Sequence, residues 1–166
     1  MIANAPAATA AISDAAGVPR SFSQQTSRHL RQRGHIPSRR GNTAPQITCE
    51  QAALLIVTAA CLGPGVAAAC DRAEALPRPV LDYLASLVET AWRDPDDPQF
   101  DFGSLRVDLT TGSVAIVELT AGTPTTTHFG PTPRSNPASH IAVLPFATIR
   151  DVVNTIRSNT KRRVRS

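Results

Sequence analysis

Residues 22–51 read FSQQTSRHLRQRGHIPSRRGNTAPQITCEQ, from Phe22 to Gln51, and the rest of the chain is organised around them. The stretch predicts a short helix opened by Ser23 and closed by Gly34, then a basic loop, then a second helix opened by Thr48. A serine hydroxyl at a helix start accepts from the amide two or three residues on, which makes Ser23 the expected cap. Gly34 supplies the left-handed residue that a helix end needs, and Pro37 cannot continue the helix. Between these ends stand Gln24, Gln25, Thr26, Ser27, Arg28, Arg31, Gln32 and Arg33, with Leu30 as the clear apolar anchor. A helix so polar, with no acidic residue, suits a surface that faces phosphates and base edges.

Upstream, residues 1–10 contain Pro6 and no apolar period, so they are expected to be mobile. Thr9 to Gly17 predicts a first helix with an apolar stripe of Ala10, Ala11, Ile12, Ala15 and Ala16 and a glycine end. Val18-Pro19-Arg20-Ser21 is then the turn into the polar helix. Downstream, Thr48-Cys49-Glu50-Gln51 is a capping box. The helix it opens runs to about Cys61, is apolar nearly all round and should be central, stopping before Gly63-Pro64. Val66 to Leu76 predicts a short helix. Val80 to Arg93 predicts an amphipathic one with Val80, Leu81, Leu84, Leu87, Val88, Ala91 and Trp92 on one face.

The order of parts in 22–51 resembles the winged helix-turn-helix of MerR-type DNA-binding proteins. There, a helix ending in an Arg-aromatic-aromatic run and a Gly leads into a hydrophobic-Pro step, a basic wing and a Ser/Thr-capped helix. Ser27-Arg28-His29-Leu30 holds the place of the run, with His29-Leu30 where the family has two aromatics. Gly34-His35-Ile36-Pro37 is the exit, Ser38-Arg39-Arg40-Gly41-Asn42 the wing, and Ile47-Thr48-Cys49-Glu50-Gln51 the next cap. The resemblance implies an N-terminal winged helix-turn-helix over 1–76 that binds double-stranded DNA. A homodimer is expected, because one short helix reads too few bases and two half-sites about one turn apart are the usual solution.

Beyond Asp94-Pro95-Asp96-Asp97-Pro98, the expected joint, the period changes from 3.6 to 2. Leu105, Val107 and Leu109 alternate with Arg106 and Asp108, Thr111-Gly112 turns the chain, and Val114, Ile116 and Leu119 return it as a hairpin. Gly122 to Ser139, dominated by Pro, Thr, Gly and Ser, reads as a loop. His140 to Leu144 is a further strand. Phe146 to Ser158 is a final helix with Ile149, Val152, Val153 and Ile156 on one side, and a basic tail over 159–166 follows. The fold class is therefore α+β: the DNA-binding region over 1–76, a helix and linker over 77–98, and a small interaction or dimerisation unit of two or three strands and a helix over 99–158. That last unit is also where a protein partner would dock.

Composition narrows the function. At 166 residues and 42% hydrophobic content the chain can bury a core, and at 4% aromatic that core is built from Ala, Val, Leu and Ile. No apolar run approaches the ~20 residues of a membrane span. The Ala-rich start lacks a basic leading region and carries Asp14, so it does not read as a signal peptide. Cys49, Cys61 and Cys70 form no CxxC pair and read as reduced thiols of a cytoplasmic protein.

Charge is uneven. Residues 1–48 carry six arginines against Asp14, and residues 150–166 carry six basic residues against Asp151. The stretch between them holds five basic and eleven acidic residues. Basic ends around an acidic middle suit a nucleic-acid binder with a separate body. Asp94, Asp96, Asp97 and Asp101, interleaved with prolines, read as a solvated loop. No nucleophile with a base, phosphate loop or metal-ligand spacing is legible, so neither an enzyme nor a cofactor is expected.

The expectation is a DNA-binding transcriptional regulator. Gln24, Gln25, Ser27 and Arg28 would lie at base edges in the major groove, Arg31, Arg33, Arg39 and Arg40 at phosphates, and Asn42 at the wing. Two other classes compete: a DNA-organising or packaging accessory of the excisionase or terminase small-subunit type, and a protein-interaction module without DNA.

Overall fold

The computed structural model describes residues 3–38, 45–131 and 140–164, and side chains within 4–38, 45–131 and 140–159. The chain is a mixed α+β protein. Its first element, β1 (Ala3–Asn4), leads directly into α1 (Ala5–Ala16). The Asn4 side chain accepts from the Ala7 amide at 2.9 Å, and proline in the first turn costs nothing because its missing N–H would be unpaired there anyway. The helix thus starts four residues earlier than Thr9, and residues 3–10 form strand and helix where no regular element was expected before Thr9. Gly17, at φ 65°, ends it as expected.

The second helix, α2 (Arg20–Gln32), opens three residues before Ser23. The Pro19 carbonyl accepts from the amides of Phe22 and Ser23, so the connection is only Gly17-Val18-Pro19 rather than four residues. Ser23 is therefore no cap. It lies inside the helix, fully buried, with its Oγ accepting from Ser13 Oγ on α1 at 2.9 Å. Gly34, at φ 83°, turns the chain out as expected, with the His35 amide donating back to the Leu30 carbonyl at 2.9 Å.

The chain returns through β2 (Gln46–Ile47), which pairs antiparallel with β1 in the register Ala3↔Ile47. Thr48 then caps α3 (Cys49–Ala60) with both bonds of the predicted box present. Ala52 to Ala59 of α3 are all buried, the central position expected of them. α4 (Val66–Glu74) and α5 (Arg78–Arg93) follow, the latter starting at Arg78 because Pro79 is tolerated in a first turn. Val80, Leu84, Leu87, Val88 and Ala91 bury the predicted stripe of α5, each leucine or valine gaining ~1.5–3 kcal/mol by leaving water.

After the short α6 (Gln99–Phe102) comes one antiparallel sheet of four strands, in spatial order β5-β4-β3-β6. β3 (Ser104–Asp108) and β4 (Val114–Thr120) are the predicted hairpin, and β6 (Ile141–Pro145) is the predicted later strand. β5 (Thr123–Phe129) corrects the loop expected from Gly122 onward; residues 132–139 of that expectation lie outside the described residues. The final helix, α7 (Phe146–Val164), buries Ile149, Val152, Val153 and Ile156 as predicted. It continues past Ser158 into residues expected as tail.

Leu105, Val107, Val114, Ile116 and Leu144 point from the sheet into the same buried cluster as the helices. Tyr83 of α5 donates to Glu118 of β4 at 2.6 Å, and its ring packs on Phe146. Gly103 lets the sheet and α7 meet, since a Cβ there would lie 2.0 Å from the Phe146 ring.

Candidate nucleic-acid interface

The site is the outer face of α2, and its geometry follows from the residues that face inward. Ser23, Thr26, Ser27 and Leu30 are buried, at spacings of three and four, against α1, α3 and α4. The opposite side must then carry Ser21, Gln24, Gln25, Arg28 and Gln32, and all five are exposed. No acidic residue occurs in the helix, and among the described residues Gln24, Gln25, Arg28 and Gln32 have no hydrogen-bond or ionic partner. Gln32 joins the expected residues of this face one turn beyond Arg28; its spacing of four from Arg28 is the signal in the sequence that marks it.

Three expected positions move. Ser27 is 1% exposed and cannot reach a base edge. Its carbonyl and Oγ instead accept from Arg31 Nε and Nη2 at 3.1 and 3.2 Å, so Arg31 lies folded back along its own helix, half-buried. Arg33 is neutralised by the body: its guanidinium is 2.7 Å from Asp71 and 3.0 Å from Glu74, both on α4. His35 Nε2 sits 2.9 Å from the same Glu74 carboxylate. The His35 and Arg33 contacts hold the Glu74 carboxyl below the usual carboxylate range. The hydrogen bonds to Asp71 and Glu74 hold Arg33 protonated even more firmly than usual. Arg39, Arg40 and Asn42, the expected wing, lie outside the described residues. They fall between Ser38 and Pro45, whose carbonyl accepts from the Ala5 amide at 3.2 Å and so returns the chain to the start of α1.

Beside this face, Thr9, Ala10 and Ser13 of α1 and Arg20, Gln24 and Arg31 of α2 line a cleft of about 180 Å³. Arg20 is held at its edge by Asp14 at 3.1 Å. The arrangement can donate hydrogen bonds outward and present positive charge, and it offers no nucleophile with a base. Among the described residues no group of three His, Cys, Asp or Glu side chains could hold a metal ion, and no helix is long and apolar enough to cross a membrane. No family model, curated protein or solved structure matches the chain.

Proposed function

We propose that this chain is a DNA-binding transcriptional regulator in which α1, the Gly17-Val18-Pro19 connection and α2 act as a helix-turn-helix of the MerR type. Ser38 to Asn42 serve as its basic wing, and two copies act together in the cytoplasm. One observation carries the reading: α2 turns an acid-free row of Gln24, Gln25, Arg28 and Gln32 to solvent, unpartnered among the described residues, while its other side is locked into the core. Glutamine pairs bidentately with adenine and arginine with guanine, each good pair discriminating by ~1–3 kcal/mol. Arg33 leaves the set of phosphate ligands, since α4 holds it, and Ser27 leaves the base readers.

The experiment is selection of bound duplexes from a random-sequence pool, followed by gel shift. Arg28→Ala with Gln25→Ala should abolish the preference for the selected site. Arg39→Ala with Arg40→Ala should weaken all sequences alike and lower the salt slope by ~0.9 for each phosphate no longer neutralised. A preference that survives the first pair, or no retention of duplex at low salt, defeats the reading. A packaging or DNA-organising role would use the same face and would leave spread footprints over repeated sites.

A further inference from the structure

The sheet ends in two unlike edges. β5 is polar, with four threonines, His128 and an early Pro124, a composition that discourages a further strand. β6 reads Ile-Ala-Val-Leu-Pro, carries no charge and, among the described residues, pairs only with β3. Its Ile141 and Val143 are 60% and 49% exposed, and with Phe102 they are the large apolar side chains most open to water among the described residues.

The backbone says which groups are free. Leu109 N–H donates to His140 O, and Phe146 N–H donates to Gly103 O, so the even-numbered residues of β6 turn their amides and carbonyls to β3. Ile141, Val143 and Pro145 therefore turn theirs outward, along the open edge.

We infer that the β6 edge pairs antiparallel with the β6 edge of a second copy about a two-fold axis at Val143, joining two sheets into one. The choice of a second copy as occupant rests on the DNA reading, in which two α2 helices must be presented, and on self-complementarity. With Val143 opposite its own twin, the two valines exchange both N–H···O bonds, and each Ile141 N–H meets the Pro145 carbonyl of the other copy. Pro145 has no N–H to leave unpaired there. Side chains of 141 and 143 from both copies fall on one face and cover each other.

Charge permits the contact. Arg106, the β3 neighbour of Val143, would stand three strand spacings, ~14 Å, from its twin, beyond the ~8–10 Å screening length. A five-residue edge falls short of the ~1,200 Å² of standard interfaces, so the dimer is of the weak, concentration-dependent class.

The test is analytical ultracentrifugation without DNA. Wild type should dimerise with rising concentration, Val143→Lys should weaken the dimer at least ~10-fold, and Thr126→Lys on the β5 edge should change nothing. In a Cys49→Ser background, Val143→Cys should crosslink to a dimer on mild oxidation. The paired Cα atoms would be ~5.5 Å apart, within disulfide reach, and this holds as a readout if the lysine variant fails to fold. A monomer up to roughly 100 µM, or a dimer indifferent to Val143→Lys with no crosslink, overturns the inference. A dimer that crosslinks but retains no duplex leaves the interface standing and removes the DNA reading alone.

Discussion

Among the described residues, Thr26 is the buried polar side chain that finds no hydrogen-bond partner: its hydroxyl is enclosed between α2 and the body. An unpaired buried hydroxyl carries its desolvation cost uncompensated. Thr26→Val replaces it by a methyl of similar shape, and the variant should gain up to ~1 kcal/mol in urea unfolding. A loss of that size would mean that the hydroxyl has a partner. Ala121 offers a second residue-scale case. With Gly122 it closes the β4–β5 hairpin at φ 51° and 80°, the two positive values of a type I′ turn. Alanine is strained there and asparagine is not, so Ala121→Asn should raise stability by roughly 0.5–1 kcal/mol. An unchanged unfolding midpoint would count against that strain. The same residue explains why the sequence of β5 reads as a loop. Ala-Gly lacks the Asn or Asp that marks such turns, and a run of threonines reads as linker until a partner strand uses their β-branched shape.

At the scale of elements, the tie between α2 and α4 decides how the reading helix is held. Asp71 and Glu74 stand three apart on one face of α4 and take Arg33, while His35 meets Glu74 from the helix exit. Glu74 is depressed, so its contribution is present above its unfolded pKa and is lost as pH falls through the lower folded value. The stability difference between wild type and Glu74→Gln should accordingly be level above about pH 5 and shrink below it, read as melting temperature in low salt. A difference that stays constant down to about pH 3 contradicts the link. The polarity of α2 is plain from the sequence, as are Gly34 and Leu30. Ser23 misleads because a serine after a proline turn has the composition of a cap wherever the helix begins. Its burial depends on Ser13, ten residues away on another helix. Arg33 misleads for a related reason: an arginine near a helix end looks free until the fold sets an acidic neighbour beside it.

Over the whole molecule, one buried cluster runs from α1 through the helices and the inner face of the sheet to α7. Cys61 and Cys70 lie within it, and burial pushes the Cys61 thiol up to about 12, whereas Cys49 is only half-buried. In thiol-reagent titrations Cys49 should react in the native protein. Cys61 and Cys70 should react together, at the denaturant midpoint where helical signal is lost. If Cys70 reacts earlier, α4, which has no side-chain cap, opens apart from the rest.

By itself the sequence determined what depends on neighbours a few positions away. Capping at Thr48, the glycine stops at 17 and 34, the apolar stripes of α5 and α7 and the alternation of β3 and β4 are all local, because helix and strand periods and caps are short-range geometry. Only the tertiary structure decided which arginines are free, which serines are buried and which sheet edge is left open. Those outcomes depend on groups brought together from distant parts of the chain, and no local period encodes such a meeting.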